Sequence, residues 1–184
     1  MRRQLFLYSL ILLVLPLFFA YVLTEQKVTI IDKKVSWGYK KASGRVVDAV
    51  ILHSTYYATG TDSFSVDGVL EQFKSYGVSS HYLIDRSGKI YRLVDEKNIA
   101  FHAGNSSLPD GRTNVNTTSI GIEIITTLYS SPTEAQYKSV AGLVKDIKKR
   151  RTIKYIKGHS DIAPGRKSDP WNFDWTKFNT LMEQ

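Results

Sequence analysis

The sequence predicts an α/β fold, a single domain with a central mixed β-sheet flanked by helices, preceded by one N-terminal transmembrane helix. Three observations carry this expectation. Short β-branched runs alternate with stretches of helical apolar spacing, as in a sheet covered by helices. Two of the runs are separated by a Ser87-Gly88 turn, which makes a hairpin and so mixes strand directions. The first 26 residues differ in composition from all that follows.

Arg2 and Arg3 precede residues 5–23, which are apolar apart from Ser9 and Pro16. Nineteen helical residues span about 28 Å, close to the thickness of a bilayer core. A secretory h-region is shorter. Phe18 stands two residues before Ala20, so a small-x-small cleavage pattern is missing. Residues 1–26 therefore read as an uncleaved signal-anchor. The arginines stay cytoplasmic and the rest faces the periplasm or cell surface; if the segment is cleaved, the domain is secreted.

Residues 27–45 are polar and irregular and read as a linker. Residues 46–53 are apolar and β-branched, as in a buried central strand. Val66, Val69, Leu70 and Phe73 share one helical face, so a helix covers about 65–76 and Gly77 stops it. Strands follow at 81–85 and 89–94. Residues 97–118 are rich in Gly, Asn, Ser and Thr, a long loop of the kind that carries function. Residues 119–125 form another strand. Ser131-Pro132-Thr133-Glu134 reads as a capping box with proline at the first helical position. Tyr137, Val140, Ala141, Val144 and Ile147 then mark an amphipathic helix to about 150. A strand at 155–158, a loop at 160–172 and a helix at 173–182 complete a domain that spans 46–184.

The net charge of +8 favours a polyanionic partner. The run Lys148-Lys149-Arg150-Arg151 reads as a complement to the helix dipole on a solvated face. No basic-aromatic motif supports a nucleic-acid binder, and an anchor argues against one. The chain has no cysteine, which excludes disulfides, thiolate catalysis and cysteine-rich zinc folds. Any metal must be held by His, Asp or Glu.

Four histidines stand at 53, 81, 102 and 159. His53 and His159 fall at the C-terminal ends of predicted strands, where ligands gather in α/β sheets. Asp169 follows ten residues after His159, across a loop stiffened by Pro164 and Pro170. Two imidazoles and one carboxylate leave a fourth position for water, the pattern of a catalytic zinc. The blander alternative is that each histidine is a satisfied core residue. In Ser119-Ile120-Gly121-Ile122-Glu123-Ile124 the isoleucines share one face, so Glu123 emerges on the other beside Gly121. A buried carboxylate is costly unless paired, and burial suits it to proton transfer; an edge-strand glutamate facing water would read the same. Lys167, two residues before Asp169, offers either an oxyanion-stabilising cation or a plain surface lysine.

Five stretches carry a resemblance. They are Ile51-Leu52-His53-Ser54-Thr55, Ser79-Ser80-His81-Tyr82-Leu83-Ile84, Phe101-His102-Ala103-Gly104, Ser119-Ile120-Gly121-Ile122-Glu123 and the run from Gly158 through Pro170. Together they resemble the N-acetylmuramoyl-L-alanine amidase family, the zinc type shared with T7-like lysozyme and peptidoglycan recognition proteins, over roughly 46–180. The resemblance implies one zinc held by His53, His159 and Asp169. It implies Glu123 as general base, Lys167 as stabiliser of the tetrahedral intermediate and His102 in the substrate groove. It also implies hydrolysis of the amide between N-acetylmuramic acid and L-alanine in peptidoglycan or its muropeptides. The phage type has a tyrosine where this chain has Ser80, so no tyrosine role carries over. His81 reads as structural. The alternative is a non-catalytic peptidoglycan receptor on the same fold, but such receptors typically lose a zinc ligand, and this chain keeps all three.

Overall fold

The computed structural model describes residues 28–184, so the expected anchor over 1–26 lies outside the described residues. Among these residues no helix is long and apolar enough to cross a membrane. The chain runs β1 (Ile30–Asp32), β2 (Tyr39–Lys40), β3 (Ala49–Thr55), α1 (Val66–Ser75), β4 (Tyr82–Ile84), β5 (Ile90–Arg92), β6 (Ile99–Ala100), β7 (Ser119–Ile125), α2 (Glu134–Arg150), β8 (Tyr155–Gly158), α3 (His159–Ile162) and α4 (Trp175–Glu183). Six strands form one sheet in the order β1-β5-β4-β7-β3-β8, and β2 pairs with β6 beside it. The β4–β5 hairpin is antiparallel while β4–β7, β7–β3, β3–β8 and β1–β5 are parallel, so the sheet is mixed as expected.

The two central strands β3 and β7 are buried at every position, which explains why both read as apolar on both faces. Val50, Leu52, Ile120, Ile122 and Ile124 pack on one face against Tyr137, Val140, Val144 and Ile147 of α2 and Phe178 of α4. The opposite face is covered in two patches. Leu83 packs with Val69, Leu70 and Phe73 of α1, and Ala49 and Ile51 pack with Ala103, Leu108, Val115 and Ile162. The alternation of side chains along β3 and β7 brings His53 and Glu123 out on this second face.

Several boundaries differ from the sequence expectation. Within the expected linker, residues 28–45 supply β1 and β2 and end at Arg45, whose guanidinium donates to the carbonyls of Glu96, Asn116 and Ser119 at 3.1, 2.9 and 2.6 Å. The first central strand begins at Ala49 and runs on to Thr55, so His53 lies inside it rather than at its end. The capping box at α2 is Thr133 with Gln136, and Pro132 precedes the cap. Gln136 takes the position because its buried amide also donates to the carbonyls of Ile84 and Ile125, tying the helix start to two strand ends. The loop at 160–172 opens with α3, and the one at 97–118 holds β6 and a 3₁₀ turn at Val115–Thr117. α1 matches its expected span closely, capped by Ser65 and stopped by Gly77 at φ +64°.

The basic run at the end of α2 does more than face solvent. Arg150 and Arg151 both donate to the buried carboxylate of Glu96, as does the Tyr82 hydroxyl at 2.8 Å. Burial pushes the Glu96 pKa up, but the bonds from Arg150, Tyr82 and Arg151 outweigh it and hold it at about 2. Glu96→Ala leaves those donors without their acceptor and is expected to cost about 3–5 kcal/mol, read by urea denaturation. A loss below about 1 kcal/mol would mean that the cluster is incidental.

Acid should destabilise the same region. His81 accepts from the Gly121 N–H at 3.0 Å and donates to the Asn98 carbonyl at 3.2 Å. Burial, then the charge of Arg45, lowers its pKa from 6.5 to about 3. The unfolded chain thus takes up this proton first, so the stabilisation is complete above pH 6.5 and is lost as pH falls toward 3. Glu96 adds a loss between its ordinary 4.5 and about 2. The melting temperature should fall progressively below pH 6.5, and a flat profile down to pH 4.5 would contradict the assignment of His81.

Candidate active site and metal centre

Three strands bring the site together at one end of the sheet. His53 on β3 stands directly opposite Glu123 on β7. Leu52 pairs with Gly158, so His159, the next residue after β8, comes to the level of His53. Gly158 has no side chain for a steric reason: a Cβ there would lie 2.7 Å from Pro170 Cδ. Pro170 can therefore pack close, and the preceding Asp169 reaches the two histidines. The Trp171 N–H donates to Ser54 Oγ at 3.0 Å and the Ser160 N–H to the Asp169 carbonyl at 2.8 Å, which pins this loop to the sheet.

Three acceptor-type atoms converge. The Nδ1 atoms of His53 and His159 lie 3.0 Å apart, and Asp169 Oδ2 is 3.4 Å from the first and 3.2 Å from the second. A proton can bridge one of these contacts at a time, whereas a divalent cation answers all three. Zinc bonds of 2.0–2.1 Å in tetrahedral geometry would set the ligand atoms about 3.3 Å apart, so the separations fit zinc. All three residues are buried, and among the described residues they are the group that could hold a metal ion.

The remaining candidates surround this group. Glu123 is only 9% exposed, and its Oε2 is a buried atom without a hydrogen-bond partner among the described residues. Burial first, then the charge of Asp169, raises its pKa well above the ordinary carboxylate value, against the pull of Lys167. An edge-strand glutamate facing water is thereby excluded. Lys167 is exposed and lines the same cleft of about 430 Å³, with Tyr76, Phe101 and Trp171 at its rim. His102 also lines the cleft, with Nδ1 2.9 Å from His53 Nε2 and Nε2 3.2 Å from Ser119 Oγ. His81 stays outside it, engaged in the strand contacts described above.

Some contributors gave no signal in the sequence. Asn116 Oδ1 accepts from the backbone N–H groups of His102 and Ala103 and so shapes the loop that carries His102. Arg166 donates to the carbonyls of Ala103 and Asn105, locking the Asp169 loop to that one. Both depend on contacts between segments distant in sequence, which local patterns do not encode.

The sequence profile of the N-acetylmuramoyl-L-alanine amidase family matches residues 43–172. The chain belongs to this family. The 1,6-anhydro-N-acetylmuramyl-L-alanine amidase AmpD of Escherichia coli is 37% identical over 134 residues, 68% of this chain and 70% of that protein. The crystal structure of a selenomethionine AmpD derivative superposes with a TM-score of 0.72 at 29% identity, over 85% of this chain and 96% of that one. Escherichia coli AmiD, solved with the substrate anhydro-N-acetylmuramic acid-L-Ala-D-γ-Glu-L-Lys, superposes with a TM-score of 0.65 at 30% identity, over 77% of this chain and 60% of that one. The amidase fold thus accounts for the mixed sheet and its helices.

Gly121 tests how tightly the site is packed. A Cβ added there would lie 2.4 Å from the His102 ring. Gly121→Ala is expected to lower stability by about 1–3 kcal/mol, since the ring must move from a filled space. Chemical denaturation would read this, and an unchanged midpoint would show that the ring has room.

Proposed function

We propose that this chain is a zinc-dependent hydrolase of the amide bond between the lactyl group of N-acetylmuramic acid and L-alanine, acting on peptidoglycan or on its muropeptides. The observation that carries this reading is the convergence of His53, His159 and Asp169 on one point beside a buried carboxylate with a free oxygen. The substrate class rests on the family and on the activity and substrate that name AmpD and AmiD.

The residues divide the work. His53, His159 and Asp169 would hold one zinc per chain. When bound, it supplies Lewis-acid polarisation of the carbonyl and makes water more acidic. Glu123 takes the proton from the attacking water and returns it to the departing amine of L-alanine. Its buried position beside the ligand group, with one oxygen free of hydrogen bonds among the described residues, lets it hold that proton between the two transfers. Lys167 places a positive charge in the cleft where the carbonyl oxygen gains negative charge. The aromatic rim offers apolar surface to a sugar ring or peptide stem. The complete set of ligands, together with Glu123, favours hydrolysis over a receptor that only binds.

Residues 5–23 support a location at the outer side of the cytoplasmic membrane, with the domain facing the wall it would cut.

The protein should bind one zinc per chain and release stem peptide with a free L-alanine amine, seen by mass analysis of digested muropeptides. Glu123→Gln should keep its zinc and lose about 10²–10⁴-fold in turnover. Cleavage at any other bond would overturn the proposed substrate, and a fully active Glu123→Gln would overturn the role of this carboxylate.

A further inference from the structure

Building on the zinc reading above, we propose that His102 is a positioning residue: it fixes the tautomer of His53 and so decides which ring nitrogen His53 presents to the metal.

The chain of hydrogen bonds begins at a main-chain carbonyl. The Ser119 hydroxyl lies 2.7 Å from the Val115 carbonyl oxygen, which can only accept. The single hydroxyl hydrogen is used there. Ser119 Oγ therefore meets His102 Nε2, at 3.2 Å, as an acceptor, and His102 Nε2 carries the hydrogen. Among the described residues no carboxylate is hydrogen-bonded to this buried ring, so it stays neutral and carries only that one hydrogen. Its Nδ1 is then a bare acceptor. His53 Nε2 stands 2.9 Å from it and must donate. That leaves His53 Nδ1 bare, and Nδ1 is the atom that faces His159 and Asp169.

The second histidine is held by the same logic with a shorter chain. His159 Nε2 donates to the Ala103 carbonyl at 3.1 Å, which leaves its Nδ1 bare as well. The two imidazoles thus offer matching atoms to the metal because each is held from behind. Residues 102 and 103 supply both holds, through a side chain in one case and a carbonyl in the other. Asn116 Oδ1 fixes the backbone of both residues, at 3.0 and 2.8 Å. Gly121 leaves the space that the His102 ring fills.

The opposite tautomer is blocked at its source. It would put a hydrogen on His53 Nδ1, pointing at the metal position. It would also need His102 Nε2 to accept, which pulls the Ser119 hydroxyl off its 2.7 Å bond. Metal ligands held this way commonly lose 10–100-fold in affinity or activity when the outer partner is removed. With both ring nitrogens committed, His102 has no polar atom left for substrate, so its place in the groove gives way to a role behind His53.

The test uses the full chain in detergent, first without metal. Long-range ¹H–¹⁵N NMR should find His53, His102 and His159 all as Nε2–H tautomers. His102→Leu should then weaken zinc binding about 10–100-fold in chelator competition, while His102→Asn restores most of it through an amide oxygen near the lost Nδ1. Ser119→Ala should populate the second tautomer of His53 in the NMR spectrum. His53 carrying its hydrogen on Nδ1 in the wild type overturns the proposal, and so does a His102→Leu chain that keeps its zinc affinity and changes only KM. A wild-type chain that takes up no zinc overturns the zinc reading itself. Zinc uptake with the wrong tautomer overturns only the role of His102.

Discussion

Everything at the site depends on the register between β3 and β7. His53 faces Glu123 across that pairing, and seven consecutive pairs hold it, from Ala49 with Ser119 to Thr55 with Ile125. Side chains alternate along a strand, so a slip of one residue would turn His53 or Glu123 into the face packed against α2. It would bury a charge in the isoleucine layer and remove half the site. The isoleucines that drive the core and the polar groups that carry the chemistry are thus one pattern read on two faces. Stability enforces the register, and the register places the chemistry. The pairing of β3 with β8 extends this to His159, and Gly158 extends it to Asp169 by admitting Pro170.

The convergence of three acceptor atoms carries a cost that the surrounding structure must meet. Two imidazole lone pairs and a carboxylate oxygen at 3.0–3.4 Å repel unless a cation or a shared proton lies between them. The protein holds them there by fixing each from outside the cluster. Ser54 offers its N–H toward Asp169 Oδ2, at 3.4 Å, and Ala103 receives the back of His159. Arg166 reinforces the same carbonyl of Ala103 at 2.7 Å. The segments that meet here come from three separate stretches of chain. Rigidity of the site is therefore a tertiary property and no single motif contains it.

That division explains what the sequence revealed. His53 and His159 were readable because a histidine closing an apolar β-branched run is a local signal, Asp169 because its spacing from His159 is short, and Glu123 because a charge on the wrong face of an isoleucine strand is anomalous by itself. The family resemblance then supplied the bond proposed as the one cut. The strands within 27–45 were hidden because Ile30 finds its partner at Ile90, and nothing near Ile30 predicts this. The contacts of Arg45 and Glu96 were hidden for the same reason, since their partners lie far away in sequence. The capping box was misplaced by two residues because Gln136 was chosen by two distant carbonyls rather than by the helix alone. The role argued for His102 depends on Gly121 and Ser119, which belong to another strand.

The two carboxylates of the cleft complete the account. Both are buried, and burial alone would raise both pKa values. Asp169 faces His53 and His159 across the position that a cation would fill, and a cation shared by the three would keep it an anion. At Glu123 burial, with the Asp169 charge added, raises the pKa, and among the described residues no hydrogen bond to Oε2 opposes it. In the proposed mechanism one cleft would thus separate two chemically similar groups into a permanent charge and a proton carrier. The sheet achieves this with position alone, since Glu123 sits one strand further from the loop that delivers Asp169 than His53 does. Moving either carboxylate to the other's place would give a site with the same composition and neither function.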